Sequence, residues 1–376
     1  MLEIRKIAYR IICIAPDGTQ LDLTQITTGL GWEEGDKELA ARISLKVCNT
    51  LCKGKRISQM VQPGTPLFLY AAVEGEQKEV VRGTVEKWSP TYSNGSSLLE
   101  LEAYDEMHPL RKNQDIAYFS DGTTTKAMMT QILEKWGVPY DYRGPDITHN
   151  KMVFKTSYVS DMLQKIFDDV RKKGGGVYFA RAREGKVEIV PRGSNEETYH
   201  FDEQTNVVSA KDSFDSGDIV TRVIIVGKAD EEGRQAVEST KDGKTEFGIR
   251  QAIVEHEDSN DLEQATQAAN QLLKERGALK RKTSLQAPDV PFLRKGDRVR
   301  IRAGTVMGYF FVRSIRHNAE DRTMTFEVDE DKEKNKETQT DNGLDGMETA
   351  DESSSEAMEA GSTDSNESSE ASEEVV

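Results

Sequence analysis

Alternation of apolar and polar positions dominates the first 110 residues and predicts β-strands. In "ARISLKV" the apolar residues Ile43, Leu45 and Val47 fall on one face of an extended chain. "VVRGTVEKWSPTY" and "SSLLELEAY" flank Asn94-Gly95, a strong short-range signal for a β-hairpin. "TPLFLYAAV" is apolar enough to predict a strand buried on both faces. Short strands separated by turn residues indicate a closed or nearly closed sheet.

The hydrophobic period changes to that of α-helices after residue 110. "DGTTTKAMMTQILEKWG" and "SYVSDMLQKIFDDVRKKGGG" each place their apolar residues on one helical face. Thr123 or a neighbouring residue is expected to cap the first helix, and glycines end both. A hairpin with its turn at Glu184-Gly185 follows. Residues 111–204 are therefore predicted to form a small α+β insert between two β regions.

Strands return in residues 205–330. "DIVTRVIIVGK", "KRKTSLQA", "YFFVRSIRH" and "RTMTFEVD" predict strands, while "DSFDSGD" predicts a turn and "ADEEGRQAVESTKDGKTEFG" a mobile loop. "DLEQATQAANQLLKERG" predicts one helix beside this second β region. Its inward residues are expected to be Leu262, Ala265, Ala269, Leu272 and Leu273.

"FLRKGDRVRIRAG", residues 292–304, lines one face of a predicted strand with arginine. Arg298, Arg300 and Arg302 share that face, since side chains in a strand alternate. These arginines could bind phosphate, hold a substrate carboxylate, or face water or a neighbouring subunit. No aromatic-plus-basic stacking platform accompanies them, and no helix-turn-helix or RRM pattern occurs. Pairing with a carboxylate across strands or across subunits is therefore favoured over nucleic-acid binding.

The acidity of the chain is concentrated at its C-terminal end. The net charge is −16 over 376 residues. Residues 331–376 carry 15 Asp and Glu against 3 Lys, a net charge of −12, which leaves −4 for the first 330 residues. This segment is Ser-rich and has no aromatic residue, so it is predicted to be disordered. It would act as a solubilising tail, or as a docking tail for a basic partner.

Sequence patterns for catalysis, metals and cofactors do not occur. The five histidines form no HExxH pattern, and there is no G-x-S-x-G turn, P-loop or G-x-G-x-x-G after a strand. Cys48 and Cys52 lack a second Cys or His pair at zinc spacing. Glu33 and Glu34 could serve as a glycosidase pair, but among 66 acidic residues such a pair carries little information. We expect no catalytic residue, metal or cofactor.

The N-terminal segment "MLEIRKIAYRIICIAPDG" resembles a signal peptide only superficially. Charged residues interrupt its apolar run, and no small-residue cleavage site follows. No apolar stretch approaches the roughly 18 residues that span a bilayer. We therefore expect synthesis and folding in the cytoplasm, without membrane contact.

Four stretches together resemble the XkdQ/YqbQ-like hub proteins of phage tails, relatives of phage late-control protein D and of the T-even baseplate hub. They are "GLGWEEGDKELAARISLKVCN", "TPLFLYAAVEGEQKEVVRGTVEKW", "DGTTTKAMMTQILEKWGVP" and "DLEQATQAANQLLKERG" with the following "LRKGDRVRIR" and "GYFFVRSIRH". Their order and spacing carry the resemblance over about residues 20–330. The acidic tail departs from the family pattern.

The resemblance implies an α+β, mainly β fold with two barrel-like tube domains, residues 1–110 and 205–330, and the insert 111–204. It implies a structural, non-enzymatic protein whose three copies form a pseudo-sixfold ring between tail tube and spike. The partners would be the tail tube protein, the central spike and other baseplate components, without specific nucleic-acid binding. The chain would assemble in the bacterial cytoplasm and reside in the baseplate of a phage, bacteriocin or other contractile particle. Arg298, Arg300 and Arg302 would then face the lumen or a neighbouring protomer. A tail-tip peptidoglycan hydrolase is the alternative.

Overall fold

Strands predominate in the computed structural model, which describes residues 7–36, 38–73, 75–229, 231–255 and 262–341. The predicted mainly β, α+β class is confirmed. Two compact units are present, with the boundary between Lys332 and Glu333.

The first β region is built from long antiparallel strands. Its elements are β1 (Ala8–Ile14), β2 (Gln20–Asp22), a 3-10 helix (Thr24–Ile26), β3 (Thr27–Glu34), β4 (Arg42–Cys48), β5 (Leu51–Cys52), β6 (Lys55–Arg56), α1 (Ile57–Met60), β7 (Pro66–Val73), β8 (Glu76–Ser93) and β9 (Ser96–Tyr104). Asn94 and Gly95 both have positive φ, 50° and 81°, which confirms the predicted β8–β9 hairpin. The prediction that β7 is buried on both faces is wrong. Leu67, Leu69 and Ala71 are buried, while the alternate face of β7 is partly exposed.

The insert combines two small sheets with two main helices. Its elements are α2 (His108–Lys112), β10 (Gln114–Phe119), α3 (Thr125–Lys135), β11 (Tyr140–Tyr142), β12 (Met152–Tyr158), α4 (Val159–Lys172), β13 (Tyr178–Arg183) and β14 (Lys186–Pro191). Thr124 caps α3, since its hydroxyl accepts a hydrogen bond from the Ala127 amide at 3.3 Å. The apolar stripes of α3 and α4 pack together in one core, as predicted, and the hairpin turns at Glu184-Gly185.

The second β region contains more strands than the sequence predicted. Its elements are β15 (Tyr199–Asp202), β16 (Ser209–Asp215), β17 (Arg222–Val226), β18 (Val237–Asp242), β19 (Gln251–Glu255), α5 (Leu262–Arg276), β20 (Lys280–Pro288), β21 (Arg298–Ala303), β22 (Val306–Asn318) and β23 (Thr323–Glu330). Most of "DSFDSGD", predicted as a turn, belongs to β16, which pairs with β20. The predicted mobile loop contains β18, which pairs with β17.

Helix α5 covers a separate three-stranded sheet, β18-β17-β19, instead of the large sheet beside it. Ala265 and Ala269 are buried there, with Leu272 and Leu273 packed against them. The prediction that Leu262 faces inward is wrong, because its side chain is exposed. Leu262 is the first residue of α5.

One continuous sheet of 13 strands joins the two β regions. Its main path runs β16-β20-β23-β22-β3-β4-β9-β8-β7-β1-β2, with β21 and β15 attached beside β22. The regions meet where β22 pairs antiparallel with β3, from Ile315 opposite Glu34 to Asn318 opposite Gly31. A Cβ atom at position 31 would lie 2.8 Å from the His317 carbonyl oxygen, so glycine permits this close approach.

Each β region nevertheless has its own hydrophobic core. The first contains Trp32, Ile43 and Leu69, and the second contains Phe310 and Phe326. Met324, Phe326 and Val328 are buried on one face of β23, as the alternation predicted. The two cores are what two tube domains would require, and the division at residues 110, 204 and 330 stays a prediction.

Helix α6 (Lys332–Asp341) begins inside the segment predicted to be a disordered tail. The structure therefore differs from that prediction over these 10 residues, and the rest of the tail lies outside the described residues. Among the described helices, none combines the length and the apolar character needed to cross a bilayer.

Candidate functional site: a buried ionic corner

The segment Leu293–Asp297, called the corner below, lies where the two β regions and the insert meet. Arg294 reaches the first β region, where its guanidinium donates a hydrogen bond to Glu34 Oε1 at 2.5 Å. The same group donates to the Ala182 carbonyl oxygen of the insert at 3.2 Å. Both charged side chains are about nine-tenths buried, 11% and 9% exposed. Arg294 therefore ties three parts of the chain together.

Lys295 holds the chain that follows β3. Its main-chain N–H donates to Glu34 Oε2 at 2.8 Å. Its ammonium group donates to the carbonyl oxygens of Gly35 and Asp36, each at 2.6 Å, and of Glu38 at 3.2 Å. Glu34 is thus bound through both carboxylate oxygens by adjacent residues of the corner.

Asp297 completes the corner on the side of the insert. Its Oδ1 accepts from Arg181 of β13 at 2.9 Å, and its Oδ2 accepts from the Arg294 main-chain N–H at 3.0 Å. Arg181 also lies 3.4 Å from Glu188 of β14. Two buried arginines and three carboxylates thus form one connected network.

Gly296 permits the turn between these charged residues. Its φ is +87°, in the region that side-chain-bearing residues rarely adopt. A Cβ atom there would lie 1.9 Å from the Phe179 ring. The ring of the insert therefore packs directly on the backbone of the corner, which leaves no room for a larger residue.

The ionisation of the corner follows from its burial. Burial opposes the charge on Glu34, but Arg294 and the Lys295 amide outweigh it and hold the pKa of Glu34 below its usual range. Burial likewise acts to lower the pKa of Arg294, and Glu34 outweighs it, so that pKa is raised. Each charge depends on the other, which is the condition for a buried ion pair to persist.

Asp105 lies beside this network and makes stability depend on pH. Its carboxylate accepts from the Ala41 and Met107 amides at 2.9 and 3.0 Å, and burial raises its pKa to about 7. In the unfolded chain the pKa is about 3.9. The folded state therefore binds more protons than the unfolded state between these values, so this group's contribution to stability falls as pH rises from about 4 to about 7.

We expect Asp105→Asn to remove that pH dependence, because asparagine does not titrate. Urea unfolding at a series of pH values measures it. The variant should be less stable than the parent, because its amide cannot accept both backbone N–H groups. The free-energy difference between parent and variant should narrow as pH rises to about 7. Parallel curves for the two proteins would contradict this role.

A second buried cluster lies at the β3–β22 seam. The Tyr9 hydroxyl donates to Asp289 Oδ2, and His317 Nδ1 lies 2.6 Å from Asp289 Oδ1. The His317 ring stacks on Trp32, with ring centroids 4.3 Å apart and planes 6° apart. Burial, followed by the nearby Asp289 carboxylate, raises the pKa of Tyr9. The cluster joins β1 and β3 of the first region to the second region.

The predicted arginine face of β21 is present, with Val299 and Ile301 buried on the opposite face. Arg298 Nε donates to Asp331 at 2.8 Å, and Arg302 forms an ion pair with Asp202 at 2.8 Å. Arg300 differs from both. It lies over the Tyr309 ring at 5.7 Å, and within the described part of the chain no carboxylate lies within ion-pair distance of it.

One arrangement resembles a catalytic triad. His149 Nε2 lies 2.7 Å from Thr125 Oγ1, and His149 Nδ1 lies 2.7 Å from Asp169 Oδ2. A nucleophile must contact its substrate, yet Thr125 is 0% exposed and the His149 side chain is also fully buried. The arrangement instead ties the first turn of α3 to α4.

The remaining sequence candidates do not converge. His108 stacks on Tyr104, His200 is exposed on β15, and His256 lies outside the described residues. Cys13, Cys48 and Cys52 are free thiols. In the described ranges, no group of three or more His, Cys, Asp or Glu residues is placed to hold a metal ion.

Sequence reasoning missed the corner, although it selected the segment that contains it. It emphasised the arginines of β21 and gave little weight to Glu34, which is 260 positions from Arg294. One local signal was available. Three basic residues, a glycine and an aspartate separate the buried residues Leu293 and Val299, and charges placed between core residues need partners.

The fold is similar to solved phage tail proteins. The prophage MuSo2 43 kDa tail protein from Shewanella oneidensis superposes with a TM-score of 0.62 at 14% identity, covering 85% of this chain and 98% of that one. The tail protein from Neisseria meningitidis MC58 gives 0.59 at 14% identity, covering 86% and 97%. A chain of the Francisella PdpA–VgrG complex gives 0.51 at 9% identity, covering 86% and 57%.

No curated protein matches the sequence. The YQBQ-like family model matches residues 31–329, which is well over half of the chain and includes β4 to β22, the corner and the seam. The chain therefore belongs to the YQBQ-like family, as the sequence resemblance predicted.

Proposed function

We propose that the protein is a structural hub of a phage baseplate or of a related contractile particle. Three copies, each with two β regions, form a pseudo-sixfold ring that joins the tail tube to the central spike. The observation that carries this proposal is the seam between β3 and β22, which links two separate cores in one continuous sheet. The similarity of the fold to phage tail proteins supports it.

The ionic corner suits this task. A ring between tube and spike must keep its β modules in fixed orientations under load. Buried charges that pair only in one arrangement specify that orientation, which is the best-attested use of such pairs. Arg294 and Lys295 fix the second region to the first, and Arg181 fixes the insert.

The proposed partners follow from the position of a hub. They are two further copies of the chain, the tail tube protein, the central spike and other baseplate components. The similar fold within the PdpA–VgrG complex supports a spike partner. The hub would assemble in the bacterial cytoplasm and then reside in the baseplate.

A non-enzymatic role is part of the proposal. The triad-like Thr125, His149 and Asp169 lie in the insert without access for a polysaccharide. We expect no clearing of peptidoglycan in zymography, with a lysozyme lane as the positive control. Clearing that is lost on a single carboxylate substitution would instead favour the tail-tip hydrolase.

The oligomeric state tests the ring. Analytical ultracentrifugation of the full chain should give a species of three times the chain mass of 42.1 kDa, and with its tube and spike proteins a heavier complex that contains three copies. A strictly monomeric protein throughout, with no ring in negative-stain images of the mixture, would refute the proposal.

Arg300 is proposed to pair with a carboxylate of a neighbouring protomer. Arg300→Glu should weaken the trimer by roughly tenfold or more, because two carboxylates would then face each other. Lys228→Glu, the same charge change at another exposed position, serves as the control. Sedimentation equilibrium measures both. An unchanged trimer with Arg300→Glu would contradict pairing with a neighbouring protomer and would favour an Arg300 that faces the lumen.

A further inference from the structure

The two-stranded sheet β10–β12 presents an apolar face to solvent. Ile116 and Tyr118 of β10 are 68% and 62% exposed, and Val153 and Tyr158 of β12 are each 43% exposed. Tyr118 lies directly opposite Val153 in the strand register. We call these four side chains the insert patch. Several exposed apolar side chains side by side on one face of a sheet typically mark an interaction site.

The sheet geometry keeps these four residues on one side. Phe119 and Phe154 point the other way, into the core of the insert. Strand β12 bulges between Phe154 and Ser157, so that two residues, Lys155 and Thr156, oppose Ile116 of β10. The bulge restores the alternation and turns Tyr158 to the exposed face. A two-stranded sheet has little stability of its own, so covering this face would stabilise it.

A cavity of about 400 Å³ continues the patch at Tyr158. Its wall includes Leu39 from the first β region, Arg111 and Lys112 from α2, and Asp161 from α4. Together the patch and the cavity offer a surface with both an apolar centre and a recess at its edge. This is the anatomy of a protein interface, with an apolar centre and a polar rim.

The charge around the patch is basic. Lys112 and Lys155 are exposed beside it. Residues 111–195, the part of the insert that precedes β15, carry 15 Lys and Arg against 10 Asp and Glu, a net charge of +5. The other residues of the first 330 carry a net charge of −9. The part of the insert that carries the patch is thus complementary in charge to the β regions of the same chain.

We propose that the insert patch of one copy docks on a β region of a second copy of this chain. The inference rests on the proposed ring, in which every copy meets the next through two different surfaces. A patch-to-patch contact would bring basic rims together. A contact between the insert and an acidic β region covers the apolar face and pairs opposite charges, and repetition of that contact closes a ring.

The test compares Ile116→Glu and Tyr118→Glu with Tyr92→Glu. Tyr92 lies at the far end of the β8–β9 hairpin and is 77% exposed, so it controls for placing a carboxylate at an exposed apolar site. Sedimentation equilibrium of the full chain measures self-association. Each patch variant should weaken it by roughly thirtyfold or more, and the control should leave it unchanged. Circular dichroism and thermal melts establish that all three variants fold.

Hydrogen exchange provides a second readout that does not depend on a variant. Amides of Gln114–Phe119 and Met152–Tyr158 should gain protection in the parent protein as concentration rises and self-association proceeds. Added salt should reduce that protection, because the rim contributes charge pairs.

The outcomes separate this inference from the proposed function. A parent trimer that persists in both patch variants, without concentration-dependent protection of β10 and β12, overturns the inference and leaves the ring intact. Loss of spike or tube binding with an unchanged trimer overturns it too, because the patch then serves another protein. A parent protein that stays monomeric, alone and with its tube and spike proteins, refutes both proposals.

Discussion

Arg294→Met should lower the free energy of unfolding by about 3–5 kcal/mol, because it leaves the buried Glu34 carboxylate without its guanidinium. Glu34 is 9% exposed, so water cannot replace the lost partner. Methionine has nearly the volume needed to fill the space, which limits the contribution of a cavity. Urea or guanidinium unfolding of the purified chain measures the loss.

The neighbouring residue Glu33 supplies a matched control. It forms an ion pair with Arg316 at 2.7 Å, but Arg316 is 72% exposed. Arg316→Met should therefore cost no more than about 1 kcal/mol. The double substitution Glu34→Gln with Arg294→Met should cost less than the sum of the single ones, since both charges are then absent. Equal losses for Arg294→Met and Arg316→Met would contradict the buried ionic corner.

Gly296→Ala should cost about 3 kcal/mol or more. Alanine at a φ of +87° is strained, and its Cβ atom would overlap the Phe179 ring. Gly304→Ala is the control on the next turn, because its φ is +55° and nothing lies within 4 Å of the added atom. That change should cost only about 1 kcal/mol. Thermal unfolding of both variants measures the difference.

The contact with Phe179 can be isolated by a further substitution. Phe179→Ala in the Gly296→Ala background removes the ring that the new methyl group meets, so the two changes should be less than additive. Strict additivity would show that backbone strain alone makes Gly296 necessary, and that the insert does not press on the corner.

Local signals explain what the sequence could predict. A two-residue hairpin turn requires positive φ at two adjacent residues, and Asn94-Gly95 is a pair that adopts it readily, so it predicted the β8–β9 hairpin. Helices α3 and α4 follow from their apolar periods, and Met324, Phe326 and Val328 from strict alternation. The same patterns predicted the order of the two β regions and the insert, and the family resemblance implied a mainly β class with two tube domains.

The errors in the second β region have one physical cause. β16 and β18 are polar strands whose residues are largely exposed, so their backbone pairing leaves no apolar pattern. For β7 the apolar pattern predicted too much burial. Its outer face is apolar, yet the rest of the chain covers that face only in part.

The candidate site was beyond sequence reasoning for a different reason. The corner depends on contacts between Arg294 and Glu34, and between Asp297 and Arg181, that join positions 260 and 116 residues apart. The hydrophobic periods that predict helices and strands carry no information about contacts between such distant positions. The arginine face of β21 was predicted correctly as a face, and Arg302 pairs across strands with Asp202, one of the two alternatives that the sequence favoured. Arg298 pairs with Asp331 of the same chain.

The central claim is that three copies of this chain close into one ring in which two β regions per copy occupy six alternating positions. Cryo-electron microscopy of the chain assembled with its tube and spike proteins tests that claim most directly. We predict a threefold axis, with the β3–β22 seam and the corner intact within every copy. An assembly without that axis, or one in which the two β regions of a copy separate at the seam, would contradict it.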